Sequence, residues 1–133
     1  MGVMAATLQE MVRAAGQVVA QLPPAEVKER LDRGEIAAVV DVREPAEFAE
    51  AHVVGALLVP RGVLELQADP STPIANATLC DNRDATIVLY CTRGPSARSL
   101  LAAQTLAHMG YTDAVALEGG LTAWEEQGLP VDR

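Results

Sequence analysis

The chain has 133 residues, a formal net charge of −8, and Phe48, Tyr90, Tyr111 and Trp124 as its only aromatic side chains. That length suits one domain with room for a core. The acidic balance opposes attraction to nucleic acid or an acidic membrane surface, and so few rings offer little for bases to stack on.

In chain order, Leu8, Met11, Val12, Ala15, Val19 and Leu22 fall on one helical face, which predicts an amphipathic N-terminal helix. Residues 17–22 read equally well as a short edge strand. The apolar stripe within residues 4–21 is the motive for expecting a homodimer. Pro24 opens a predicted helix that reaches residue 33 and stops at Gly34. Apolar runs at 36–40, 56–59 and 86–90, with a weaker one at 114–117, are short and continuous rather than alternating. That pattern suits strands covered on both faces, as in a parallel sheet. Between them come helical stretches at 46–51, opened by Pro45, and at 99–109, closed by Gly110. A last one at 121–127 is closed by Gly128. Residues 69–84 hold Pro70, Pro73 and two Asn without periodicity, and read as a surface loop. Strands alternating with helices predict an α/β fold with crossovers on both faces of the sheet.

In such sheets ligands sit beyond the carboxyl ends of the strands. Three segments meet at that edge: Asp41-Val42-Arg43, Pro60-Arg61-Gly62, and the loop from Cys91 to Arg98. Cys91 ends a buried strand and opens a loop that runs into a helix. A thiol so placed meets backbone N–H groups and the positive end of a helix dipole, which favour the thiolate, the reactive form. The same cradle binds an anion beside the sulfur. Cys80 and Cys91 are too few for a disulfide framework and lack metal-ligand spacing, so no metal site is expected. The five residues of the strand between them span roughly 17 Å, too far for a disulfide. No apolar run nears the ~20 residues of a membrane span. The first ten residues place no basic flank before an apolar block, so a cytoplasmic protein is expected.

Taken together, several segments resemble the single-domain rhodanese-like (sulfurtransferase) family. They are Asp41-Val42-Arg43-Glu44-Pro45-Ala46-Glu47-Phe48, Ala51-His52-Val53-Val54-Gly55-Ala56, Pro60-Arg61-Gly62 and Leu89-Tyr90-Cys91. The series continues with Arg98-Ser99-Leu100-Leu101-Ala102-Ala103, Met109-Gly110-Tyr111 and Leu117-Glu118-Gly119-Gly120-Leu121-Thr122-Ala123-Trp124. The resemblance implies a three-layer α/β/α domain over residues 17–133, with a five-stranded parallel sheet and helices on both faces. Residues 1–16 would be a helical extension. It also implies that Cys91 takes sulfane sulfur from a small anionic donor such as thiosulfate as a persulfide. The sulfur then passes to a thiol or a sulfur-carrier protein, with no cofactor. Thr92, Arg93, Gly94, Ser96 and Arg98 would hold the donor, and Asp41, Arg43 and Arg61 would support the loop. The family pattern Cys-x-x-Gly-x-Arg-Ser puts Arg five after Cys, where this chain has Ser96; its Arg-Ser pair comes at Arg98-Ser99. Dual-specificity phosphatases of the same fold put Arg six after Cys, where this chain has Ala97. The alternatives are therefore a phosphatase or arsenate reductase, or a non-catalytic binding module. His52 and His108 read as structural, Gly119-Gly120 as a close-packed turn, and Trp124 as core.

Overall fold

A computed structural model describes residues 5–133. Its elements in chain order begin with α1 (Leu8–Val18), β1 (Gln21–Leu22), α2 (Pro24–Asp32), β2 (Ala38–Asp41), α3 (Pro45–Glu50), β3 (His52–Val53) and β4 (Leu57–Leu58). A 3₁₀ turn (Arg61–Val63) leads into α4 (Leu64–Ala68), α5 (Ala77–Cys80) and β5 (Thr86–Tyr90). The chain ends with α6 (Ala97–His108), β6 (Asp113–Leu117), α7 (Gly120–Glu126) and β7 (Val131–Asp132).

Five strands form one parallel sheet in the order β1-β6-β5-β2-β4. β5, the strand that delivers Cys91, is the central one. Its side chains alternate between two cores. Ile87 and Leu89 join α1, α4, α5 and α6 on one face, through Ala15, Leu64, Leu79 and Leu106 among others. Val88 and Tyr90 join α2, α7 and the α3–β3 segment on the other, through Val27, Trp124 and Val53. Ile87, Val88, Leu89 and Tyr90 are each 0% exposed, which explains the unbroken apolar run that marks this strand in the sequence.

Both readings of residues 17–22 hold in part: the helix runs to Val18 and a two-residue edge strand follows. The α1 N-terminus is closed by a capping box in which Glu10 N–H donates to Thr7 Oγ1 at 3.1 Å. Met4, at the start of the segment expected to face a second copy, lies outside the described residues, as do residues 1–3 of the stretch read for a leader. Two local expectations need correction. Residues 69–84 are not all loop, because Asn76 Oδ1 accepts from Thr78 N–H at 3.0 Å and buried Leu79 anchors a four-residue helix there. Four residues are too few to show a period. A second, antiparallel sheet, in which His52 pairs Asp132 and Val53 pairs Val131, also went unread, since two-residue strands have no pattern. No described helix is long and apolar enough to cross a membrane.

Candidate active site

Cys91 directly follows β5 and lines a cavity of about 380 Å³ that also touches Glu47, Thr92, Arg93, Gly94, Pro95, Ala97 and Arg98. The cysteine is 3% exposed, so its sulfur belongs to the cavity floor rather than the open surface. Cys91 Sγ lies 3.5 Å from Ser99 Oγ, whose hydroxyl also reaches Ser96 O at 3.1 Å. A thiolate only accepts hydrogen bonds. Either atom can donate in the Cys91–Ser99 contact, and toward a sulfur that only accepts, the Ser99 hydroxyl is the donor.

The loop ends at Ser96, where α6 begins. Ser96 caps α6, and Leu100 N–H donates to Ser96 O at 2.8 Å as the first helical bond. The amides of Ala97, Arg98 and Ser99 therefore open the helix without partners inside it. Ser96 is in the left-handed region (φ 64°, ψ 36°), and its buried hydroxyl has no hydrogen-bond partner. Among the described residues it is the only non-glycine with positive φ.

The α7 N-terminus braces the other side of the loop. Leu121 N–H donates to Cys91 O at 3.0 Å and Thr122 N–H to Thr92 O at 2.8 Å. These amides approach so closely because residue 120 is glycine at φ +61°. A Cβ there would lie 2.6 Å from Cys91 O and 2.8 Å from the Thr92 carbonyl carbon. The Gly119-Gly120 pair thus does the close packing expected of it, against the backbone that carries the sulfur.

The predicted site residues do not all meet at one place. Thr92, Arg93, Gly94 and Arg98 line the cavity with Cys91. The Arg98 guanidinium is already engaged: Nη1 and Nη2 donate to the Glu47 carboxylate at 2.9 and 3.2 Å, and Nη2 donates to Thr92 Oγ1 at 3.0 Å. The hydrogen bond from Arg98 holds the Glu47 carboxyl down at about 2, with help from the Glu44 N–H. Ser96 is buried behind the loop and outside the cavity lining. Asp41 and Arg43 form a second cluster, at 0% and 4% exposure. Arg43 Nη2 donates to Asp41 Oδ2 at 2.7 Å and to Ala51 O at 2.7 Å, and Val53 N–H donates to Tyr90 Oη at 3.1 Å. Burial first, and then the Asp41 carboxylate, push the Tyr90 hydroxyl pKa up. This cluster ties β2 to the end of α3, the helix that carries Glu47. Arg43 also lies over the Tyr90 ring, 5.7 Å from its centroid, so the cluster meets the strand that delivers Cys91. The Arg43 side-chain hydrogen bonds go to Asp41 and Ala51, and none to the Cys91 loop.

Arg61 corrects the expectation made of it. Its guanidinium donates to Glu65 Oε1 at 2.8 Å and to Thr105 Oγ1 at 3.1 Å, so it pins the 3₁₀ turn to the middle of α6, away from the cavity. Glu47 and Ser99 were not named as site residues from the sequence, and Gly120 was read as packing without its contact to the Cys91 loop. Only Glu47 left a signal, as the third helical residue after Glu44, where a carboxylate returns to cap the helix start.

His52 is structural, with Nδ1 2.8 Å from Phe48 O and its ring stacked on Phe48 at 3.6 Å. Trp124 is core, 1% exposed, and donates from Nε1 to Pro130 O at 2.8 Å. Cys80 sits in α5, beyond the opposite end of β5, with Sγ donating to Gln67 O at 3.5 Å. Among the described residues no cluster of His, Cys, Asp and Glu has the make-up of a metal site.

Comparison with known proteins follows the same lines. The rhodanese-like domain model matches residues 23–127. A sulfurtransferase of Allochromatium vinosum is 32% identical over 114 residues, covering 86% of this chain and 95% of that protein. The probable adenylyltransferase/sulfurtransferase MoeZ of Mycobacterium tuberculosis is 36% identical over 109 residues, covering 82% of this chain but 25% of its own length. The chain therefore spans about a quarter of that relative. Among solved structures, a Rhodopseudomonas palustris protein of unknown function, described as a possible tyrosine phosphatase, superposes with a TM-score of 0.87. It is 29% identical, covering 99% of this chain and 98% of that one. A thiosulfate sulfurtransferase of Pseudomonas aeruginosa gives a TM-score of 0.69 at 33% identity, covering 86% of this chain and 20% of that one. With its parallel five-stranded sheet, its cysteine at the end of the central strand and these matches, the chain belongs to the rhodanese-like domain family.

Proposed function

We propose that the protein is a sulfurtransferase that moves sulfane sulfur from thiosulfate, or another persulfide donor, to a thiophilic acceptor. The observation that carries this reading is the Cys91 sulfur on the floor of a cavity, between the end of β5 and the start of α6. The Cys91 thiolate attacks the outer sulfur of thiosulfate; a bond to Sγ forms, the S–S bond of the donor breaks, and sulfite leaves. An acceptor thiolate then attacks the outer sulfur of the Cys91 persulfide and Sγ departs as thiolate. Donor charge is met by Arg93 and by the amides that open α6. Arg98 shapes the cavity while bound to Glu47. The acceptor is a thiol or a sulfur-carrier protein, and the setting is the reducing cytoplasm, where a free thiol persists.

Incubation with thiosulfate is expected to add one sulfur, about 32 Da, to the intact protein, removable by reductant. Cys91→Ser should abolish the adduct and Cys80→Ser should not. Absence of the adduct with every sulfur donor offered would defeat the proposal.

A second reading, a phosphatase of the same fold, draws on the Rhodopseudomonas palustris structure. Against it, the Arg98 fork is spent on Glu47 rather than open to a phosphoryl group. Hydrolysis of an aryl phosphate with inhibition by vanadate would favour this reading.

A further inference from the structure

Beside the catalytic cavity, between α1 and the Cys91 loop, lies a second groove of about 430 Å³. Leu8, Val12, Pro95 and Ala97 give it an apolar lining, with Gln9 and Arg13 at its polar edge. Pro95 and Ala97 line both spaces, so the groove and the Cys91 cavity share a wall. Each is of small-molecule size, a few hundred Å³. Leu8 is 61% exposed, a large apolar side chain kept at the lip.

Charge singles out what fits there. Among the described residues, three arginines make no ion pair: Arg13, Arg83 and Arg93. Arg83 is at the far end of β5, beside Cys80. The other two belong to this pair of spaces, Arg13 at the groove and Arg93 at the cavity. In a chain of net charge −8, two unpaired guanidinium groups on either side of one shared wall complement an anion. The apolar lining complements a hydrocarbon stretch attached to it.

We propose that this groove holds the body of the sulfur acceptor, and that the acceptor is an organic thiol with an apolar chain ending in a carboxylate. The carboxylate pairs with Arg13, the chain lies along Leu8, Val12 and Pro95, and the thiolate enters the Cys91 cavity over the shared wall. There its sulfur bonds to the outer sulfur of the Cys91 persulfide while the bond from that sulfur to Sγ breaks. The products are an organic persulfide and the Cys91 thiolate, with no outside oxidant or reductant. This inference rests on the sulfur-transfer reading of Cys91.

The test loads Cys91 with thiosulfate, verifies the adduct by intact mass, and then offers ω-mercaptoalkanoic acids of increasing length. Transfer kcat/KM is expected to rise about fourfold per methylene until the groove is full. Leu8→Asp, at an exposed position, should flatten that dependence; Val12→Asp, closer to the core, should do the same if it folds. Arg13→Gln, at an exposed position, should lower kcat/KM about two- to fivefold for the carboxylated thiols and leave neutral alkanethiols of equal length unchanged. Transfer to cyanide should be the same in all variants. A chain-length dependence absent from the wild type, or equally steep in Leu8→Asp, overturns the inference while the sulfur-transfer reading stands. Failure of the initial loading overturns both.

Discussion

Ser99 and Cys91 are placed to exchange one hydrogen bond according to the charge on the sulfur, at 3.5 Å. A hydrogen bond to a charged group contributes about 1.5–3 kcal/mol. Ser99→Ala should therefore slow alkylation of Cys91 at neutral pH by about tenfold or more, since 1.4 kcal/mol is a factor of ten. An unchanged rate would remove Ser99 from the account. Glu47 offers a test through pH. Its carboxyl is lowered from the ordinary 4.5 to about 2 by Arg98, so the contribution of the pair to stability is full above pH 4.5 and fades as pH falls toward 2. The Glu47 side chain is 36% exposed, and water screens the pair, so the effect is small. Urea midpoints of the wild type and Glu47→Gln should differ at pH 6 and converge near pH 2. A constant difference would mean that Glu47 acts through packing alone. Arg98 was legible from the sequence as a residue of this edge. Its partner was not, since Glu47 lies 51 positions away and nothing local in the sequence links them.

At the scale of elements, the Cys91 loop is held from two sides, by its own helix α6 and by the first turn of α7. Gly120 is where the second brace is most exposed to substitution. Gly120→Ala puts a methyl within 3.0 Å of three backbone atoms of residues 91–93, at a φ that L residues rarely adopt. The cost should be about 1–3 kcal/mol in thermal or urea unfolding, with slower persulfide formation because the sulfur moves. Gly16, inside α1 with nothing within 4 Å of a Cβ, is the control: Gly16→Ala should stabilise by about 0.5–1 kcal/mol. If Gly120→Ala left both stability and loading intact, the α7 brace would be idle. The strands and most helices could be read from sequence because their apolar runs and Pro or Gly stops are local. Helix α5 and the β3–β7 pair could not, because a few residues stabilised by Asn76, Leu79 or a distant partner strand carry no period.

Across the whole molecule, the sheet divides two cores and puts its functional edge at the carboxyl ends of β2 and β5. The Asp41–Arg43 pair fixes that edge from inside. Its carboxylate is 0% exposed, so removing the guanidinium leaves a buried charge without a partner. Arg43→Met should cost about 3–5 kcal/mol of folding stability. A loss below about 1 kcal/mol would show that water reaches Asp41. The fold and the position of Cys91 at the end of the central strand were both legible, because the order of short motifs along the chain follows the order of elements meeting at one edge. The division of labour among the arginines was not, because Arg61 and Arg98 choose partners 44 and 51 residues away.

In the proposed reaction, position and not accessibility makes Cys91 the reactive thiol. Exposure alone favours the other cysteine, since Cys80 is half-buried and Cys91 is 3% exposed. Limiting iodoacetamide at neutral pH, followed by peptide mass mapping, sets the two in direct competition. Cys91 should be alkylated first, and thiosulfate should protect it. Alkylation of Cys80 ahead of Cys91, unaffected by thiosulfate, would contradict a reactive thiol at Cys91.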